Sequence, residues 1–140
     1  MATTTDYTNG AAGRSWDGSN RAFILKNQVT VGTLVTVDTD VLQSLDIPSY
    51  TWVQKVWLRV NTPSTAACDS AVGDADSAAG WEADTGFDLN AAANTVTTSL
   101  QTSEYADGKL YIVDDTIDVT VNGASAGAVY TIYALCFDLN

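Results

Sequence analysis

The chain contains no histidine. Histidine is the usual base near neutral pH and the commonest metal ligand, so its absence removes Ser–His–Asp and Cys–His catalysis and every His-based metal site. Cysteine is nearly missing too, with only Cys68 and Cys136. Two cysteines so far apart build neither a Cys₄ zinc site nor a disulfide framework. Cys136 lies in the apolar run 134–137 and reads as a small core residue. Free thiols fit a chain made in a reducing cytoplasm, and a Cys68–Cys136 disulfide is the competing reading. Basic residues are scarce: 6 Lys and Arg face 17 Asp and Glu, for a net charge of −11. That balance argues against a nucleic-acid binder, which needs cations to displace counterions, and against an anionic membrane surface. No apolar run approaches the roughly 20 residues of a membrane span. The first ten residues, MATTTDYTNG, have neither a basic n-region nor an apolar h-region, so no secretory leader is expected. No GxGxxG or P-loop pattern occurs.

What remains is rich in Thr, Val, Leu, Ile and aromatics, which favour strands, and the length of 140 residues suits one domain with a real core. The stretch 40–61, DVLQSLDIPSYTWVQKVWLRVN, reads as a long hairpin turning at Pro48-Ser49. In its return run Tyr50, Trp52, Gln54, Val56, Leu58 and Val60 alternate with Thr51, Val53, Lys55, Trp57, Arg59 and Asn61. The first set is apolar from Val56 onward and should face the core. The second carries Lys55 and Arg59 and should meet water or a partner. Val29, Val31, Thr33, Val35 and Val37 give another period-two face, and 116–121 a third. The run 128–139 is apolar on both faces, as a central strand would be. About eight or nine short strands with turn signals every 8–12 residues mark a sandwich or barrel, and the lack of alternating helices excludes a parallel α/β sheet. The expected fold is an all-β antiparallel sandwich, jelly-roll-like, with another Greek key as second choice.

Residues 1–20 read as an extended N-terminal arm, polar and without periodicity, and 21–140 as the sandwich domain. The arm holds Tyr7 and Trp16, which a spacer does not need. It is either a frayed terminus or an arm that orders on a neighbouring subunit. Charge is uneven: residues 1–27 hold three cations against two carboxylates, residues 28–140 three against fifteen.

Candidate chemistry is thin. Asp84 with Asp88, or Asp114 with Asp115, would be the carboxylate pairs of a glycosidase, but among seventeen acids some pairs fall close by chance. Asp74-x-Asp76 in the acidic loop 73–88 invites a calcium reading, although Gly80 and Glu82 are misplaced for an EF-hand; a solvated acidic loop is the alternative. Trp16, Trp52, Trp57 and Trp81 offer a carbohydrate-stacking platform or, more simply, core and contact residues. Trp57 between Lys55 and Arg59 has the Trp and Arg mixture of an interface, and this face is read as a subunit contact. No cofactor and no enzyme activity are expected.

Five pieces in order, DVLQSLDIP at 40–48, VQKVWLRVNT at 53–62, GDADSAAGWEADTGFDLNA at 73–91, YADGKLYIVDDTIDVTV at 105–121 and TIYALCFDLN at 131–140, resemble small virion structural proteins of tailed bacteriophages, some of them head decoration or cement proteins. Ser-Tyr-Thr after Pro48 replaces a more familiar Ala-Gly-Thr, and the first 27 residues carry no resemblance. The resemblance implies a jelly-roll-like β-sandwich, often a homotrimer, on the outer surface of the capsid, assembled in the host cytoplasm and bound to the major capsid protein. The arm residues Tyr7, Arg14, Trp16 and Arg21 would then meet the shell. A head-fibre or tail component that touches the host, and a carbohydrate-binding sandwich, are the alternatives.

Overall fold

The computed structural model describes residues 4–8, 22–33, 39–96 and 104–139, and these contain strands and no helix. The last strand, β9 (Val129–Asp138), is the centre of the architecture. It pairs antiparallel with β2 (Ala22–Thr30) on one side and with β4 (Thr51–Thr62) on the other. A central place in the sheet, with one face in the core and the other half-buried between the side chains of two flanking strands, accommodates a run apolar on both sides. A short β7 (Lys109–Tyr111) completes a four-stranded sheet in the order β2-β9-β4-β7. The second sheet has the order β1-β3-β8-β5-β6, from β1 (Thr4–Asp6), β3 (Val41–Ile47), β5 (Asp69–Gly73), β6 (Glu82–Asp88) and β8 (Asp115–Val121).

The topology has a simple rule. β2 pairs with β9, β3 with β8, β4 with β7 and β5 with β6, all antiparallel. The chain is thus one long antiparallel ribbon folded at β5–β6 and rolled up, with β4·β9 and β5·β8 pairings closing the roll. That is a jelly roll, as expected from the sequence. β1 adds to the edge of β3 in parallel.

Rolling the ribbon overturns the expected hairpin at 40–61. β3 and β4 lie in different sheets, and 48–50 carries the chain across the sandwich. The reason is local. A two-residue hairpin needs φ > 0 at its central positions, where Asn or Gly sits, and Pro48 is locked at negative φ. The corner turns instead at Tyr50, at φ 56°. It is tied by the Ser49 N–H to Asp114 Oδ1 (2.8 Å) and by the Leu139 N–H to the Tyr50 carbonyl (3.0 Å).

The two faces of β4 also need correction. A register shift between Val53 and Lys55 makes Gln54 a bulge, which flips the alternation. The inward set is Thr51 and Val53, then Val56, Leu58 and Val60, all buried. Trp52 is turned outward with Lys55, Trp57 and Arg59. The core between the sheets is filled from one side by Leu25, Val29, Val56, Leu58, Tyr130 and Ile132. Leu42, Ile47, Phe87, Ile117, Val119 and Val121 fill it from the other. Each large side chain so buried contributes about 1.5–3 kcal/mol before entropy is counted.

Several polar groups inside the sandwich are paired, while the buried Thr51 hydroxyl has no hydrogen-bond partner. Ser44, at a bulge in β3, shares a 2.6 Å hydrogen bond with the buried Tyr130 hydroxyl. Asn27 of β2 donates to the Ser44 carbonyl (2.9 Å) and to the Tyr7 carbonyl (2.8 Å), stitching the two sheets along one edge. Cys68 and Cys136 are buried free thiols, and burial pushes the Cys136 thiol up to about 12.

Candidate interaction surfaces

Outside the core the fold arranges three features of different character: a closed ionic cluster on one flank, an open basic sheet face, and an apolar tip.

The ionic cluster forms where loop 74–81 meets β7. Asp74 is buried, and both of its oxygens are fully engaged. Oδ1 accepts the N–H groups of Asp76 and Ser77 (3.0 Å each) and the Tyr105 hydroxyl (3.0 Å). Oδ2 accepts the Lys109 ammonium and the Tyr111 hydroxyl, both at 2.7 Å. Lys109 also bonds Asp76 (2.9 Å) and sits 4.8 Å from the ring centres of both Tyr105 and Tyr111. The Trp81 indole, fully buried, donates to the Tyr111 hydroxyl (3.2 Å). Gly80 has to be glycine, because a Cβ there would run into the Tyr105 ring.

Burial alone would raise the Asp74 carboxyl. The hydrogen bonds from Lys109, Tyr111, Ser77 and Tyr105 outweigh it and hold the group below the usual carboxylate range. Burial likewise opposes the charge on Lys109, and its bonds to Asp74, Asp76 and Tyr105 overcome this and hold its pKa above the ordinary lysine value. Burial, and then the charge of Asp74, push Tyr111 up.

Single carboxylate oxygens of Asp74, Asp76 and Asp115 converge within 4.8 Å, the spacing of a cation site. The cation in this site is the chain's own Lys109. The acidic loop is therefore neither an EF-hand nor simply solvated; its first acid anchors a buried network. Of the carboxylate pairs, Asp114 caps the Ser49 N–H and Asp88 the Asn90 N–H at turns.

The open face is the outer side of the four-stranded sheet. Register places its side chains in cross-strand rows: Ala22, Phe137, Trp52 and Leu110; Ile24, Leu135 and Lys55; Lys26, Tyr133 and Trp57; Gln28, Thr131 and Arg59. Three of the four cations among the described residues, Lys26, Lys55 and Arg59, share this face, and no carboxylate of those rows does. Arg59 Nε donates to Asn61 Oδ1 (2.9 Å), which fixes the guanidinium beside a groove of about 470 Å³ lined by Lys26, Asn27, Gln28, Arg59, Thr131 and Tyr133. The outer face of the other sheet is the reverse, with Asp6, Asp46, Asp69, Asp88 and Asp118 and no cation among the described residues.

The tip lies where the 48–50 and 112–114 corners meet the end of β9. Tyr50, Ile112, Val113 and Leu139 are 51%, 61%, 66% and 52% exposed there. Corners are normally polar, so four large apolar side chains at one end mark a contact surface. Ala22, the first residue of β2, is in the row with Phe137 and Trp52 at this same end.

The structure thus brings Lys55, Trp57 and Arg59 together as the sequence suggested, and adds Lys26 and Tyr133 from neighbouring strands. Tyr7 is half-buried, hydrogen-bonded through its carbonyl to Asn27 and through its N–H to the Gln43 carbonyl. Arg14, Trp16 and Arg21 lie outside the described residues. The tryptophan platform does not assemble from Trp81, which is in the core. The tip is not among the candidates read from the sequence; the apolar Ile112 and Val113 beside the Asp114-Asp115 corner were the available signal.

These features define a small all-β jelly roll. No protein-family model and no curated protein matches the sequence. Solved structures share the fold. A chain in the capsid of Ralstonia phage GP4 superposes with a TM-score of 0.67 at 11% identity, over 97% of this chain and 99% of that one. A chain in the cyanophage Pam1 capsid asymmetric unit gives 0.60 at 18%, over 91% of each. A chain in the acidic stable capsid of Helicobacter pylori bacteriophage KHP30 gives 0.54 at 19%, over 83% and 86%.

Proposed function

We propose that this chain is a virion structural protein of a tailed bacteriophage, a decoration or cement protein that binds the outside of the assembled head shell. The observation that carries this reading is the reciprocal, nearly full-length fold match to chains of phage capsids. In those capsids a jelly roll of this size stands as a chain of its own. The protein acts as an adapter and performs no chemistry. Its partner is the major capsid protein, and it works as a homotrimer, with Lys55, Trp57 and Arg59 between subunits.

The apolar tip seats on the shell, and the segment carrying Arg14, Trp16 and Arg21, which joins β2 at that end, adds cations to the contact. Tyr7 serves the arm by anchoring it to the sandwich edge. Binding only the assembled shell stabilises the shell by linkage. The acidic remainder of the surface faces outward and keeps particles apart.

Shells lacking this protein, incubated with it and sedimented, test the reading. Wild type pellets with the shells and raises their melting temperature. Ile112→Ser with Val113→Ser, and separately Arg14→Glu with Arg21→Glu, remain folded and bind at least about tenfold more weakly, as loss of central apolar or charged contacts does. Wild-type protein left in the supernatant would sink the proposal.

A further inference from the structure

Among the described residues no carboxylate pairs with the cations of the basic sheet face, yet the chain carries its complement. On the flank formed by β7 and loop 74–81, Asp76, Glu104 and Asp107 are exposed. Glu104 is held there by the Ser77 hydroxyl (2.6 Å). The one cation of this flank among the described residues, Lys109, is already shared by Asp74 and Asp76, so the described flank carries net negative charge. We propose that the outer face of the four-stranded sheet packs against this acidic flank of a second copy of the chain.

Charge decides among the possible self-contacts. Face against face would set Lys26, Lys55 and Arg59 on their own images, a like-charge arrangement that costs free energy in a dry contact. Face against the acidic outer side of the other sheet satisfies charge, but those surfaces point in opposite directions on a sandwich, so the contact would repeat as an open stack. The flank lies beside the basic face across β7, so its direction is roughly perpendicular. A heterologous contact between neighbouring surfaces closes into a small ring.

The composition of the face suits this role. Trp52, Trp57, Tyr133 and Phe137 are half-buried and supply rigid apolar area, and the groove between Lys26 and Arg59 is open to a carboxylate. Four strands over these rows present about 400 Å² of flat area per copy, at the small end for a specific contact. Association is therefore weak in solution and strengthens where copies are concentrated. The contact needs no shell, and it stands or fails separately from shell binding.

Sedimentation velocity at physiological ionic strength, up to hundreds of micromolar, tests it with two charge-reversal variants. One is Lys55→Glu with Arg59→Glu, the other Glu104→Lys with Asp107→Lys. Wild type forms heavier species as concentration rises. Each variant alone associates at least tenfold more weakly, and an equimolar mixture of the two regains association, which also shows that both are folded. A wild type that stays monomeric overturns the proposal. So does a flank variant that associates like wild type, since that is the result of a face-to-face contact, and so does a mixture that fails to recover.

Discussion

Lys109 and Lys55 lie in the same sheet, on adjacent strands, and have opposite fates. Lys109 is folded into a cage of two carboxylates and two tyrosine rings, where every strong partner is already in place. Lys55 stands exposed on an outer face with Lys26 and Arg59, in a protein with nearly three acids for each base. The first arrangement spends its charge inside the domain and is structural. The second leaves charge available. The contrast shows how to sort the polar residues: satisfied groups explain the fold, and grouped charges facing water without counter-charge among the described residues are the candidates for a contact.

The most severe way to break the closed side is Asp74→Ala. It takes the acceptor from two tyrosine hydroxyls and two backbone N–H groups and leaves the Lys109 ammonium with only Asp76 and the Tyr105 hydroxyl, and removing one partner of a buried pair costs about 3–5 kcal/mol. Urea denaturation should show a loss of that size. Loss below about 1 kcal/mol would mean that water replaces the carboxylate and that the cluster is not structural.

A smaller effect, of opposite sign, is expected at Asp118. Burial first, and then the negative charges of Asp115, Asp74 and Asp6, raise its carboxyl to about 6, against a hydrogen bond from the Thr116 hydroxyl (2.6 Å). The folded state therefore holds this proton where the unfolded chain has lost it. Stability from this group is present below the unfolded value near 4, declines as pH rises to about 6, and stays reduced above. Raising a carboxyl from near 4 to about 6 corresponds to roughly 2–3 kcal/mol. Asp118→Asn should stabilise the domain at pH 8 by up to that amount and flatten the decline between pH 4 and 6. Asp74 runs the other way: its depressed carboxyl stabilises above the unfolded value, and that contribution is lost in stronger acid. An unchanged profile in Asp118→Asn would assign the slope to other acids.

The open side predicts a milder change. Trp57→Ala removes a half-buried ring in a row with Tyr133 and Lys26, a loss of about 1 kcal/mol by the scale of cross-strand pairs. Self-association should weaken by more than folding does. If thermal stability falls steeply while association is untouched, Trp57 belongs to the fold and not to a contact.

The two sides also differ in how far the sequence reveals them. Lys55, Trp57 and Arg59 are neighbours in one strand, so alternation alone puts them on one face. The centrality of β9 was legible for the same reason, since its residues are apolar on both faces. The Asp74 cluster was not legible. Its partners Tyr105, Lys109 and Tyr111 lie 31 to 37 residues away and come together only because the roll lays β7 beside loop 74–81. The sheet switch at 48–50 and the bulge at Gln54 were invisible to a period-two reading for a related cause. A pattern reports which residues share a face, but not which sheet owns the strand, and one inserted residue inverts everything before it.

Calcium gives the smallest expected response and the sharpest reading of the closed side. Asp74, Asp76 and Asp115 have the spacing to hold a divalent ion, and the sequence spacing Asp-x-Asp invited one. An ion entering there must displace the Lys109 ammonium, which bonds Asp74 at 2.7 Å and Asp76 at 2.9 Å and is tethered to the chain. It must also give up most of the six to eight oxygen ligands calcium prefers, because Asp74 is already committed to five donors. Melting curves in EDTA and in millimolar calcium should therefore superimpose. A clear upward shift with calcium would show that the ammonium leaves its cage, and that the cluster is an open cation site and not a closed structural one.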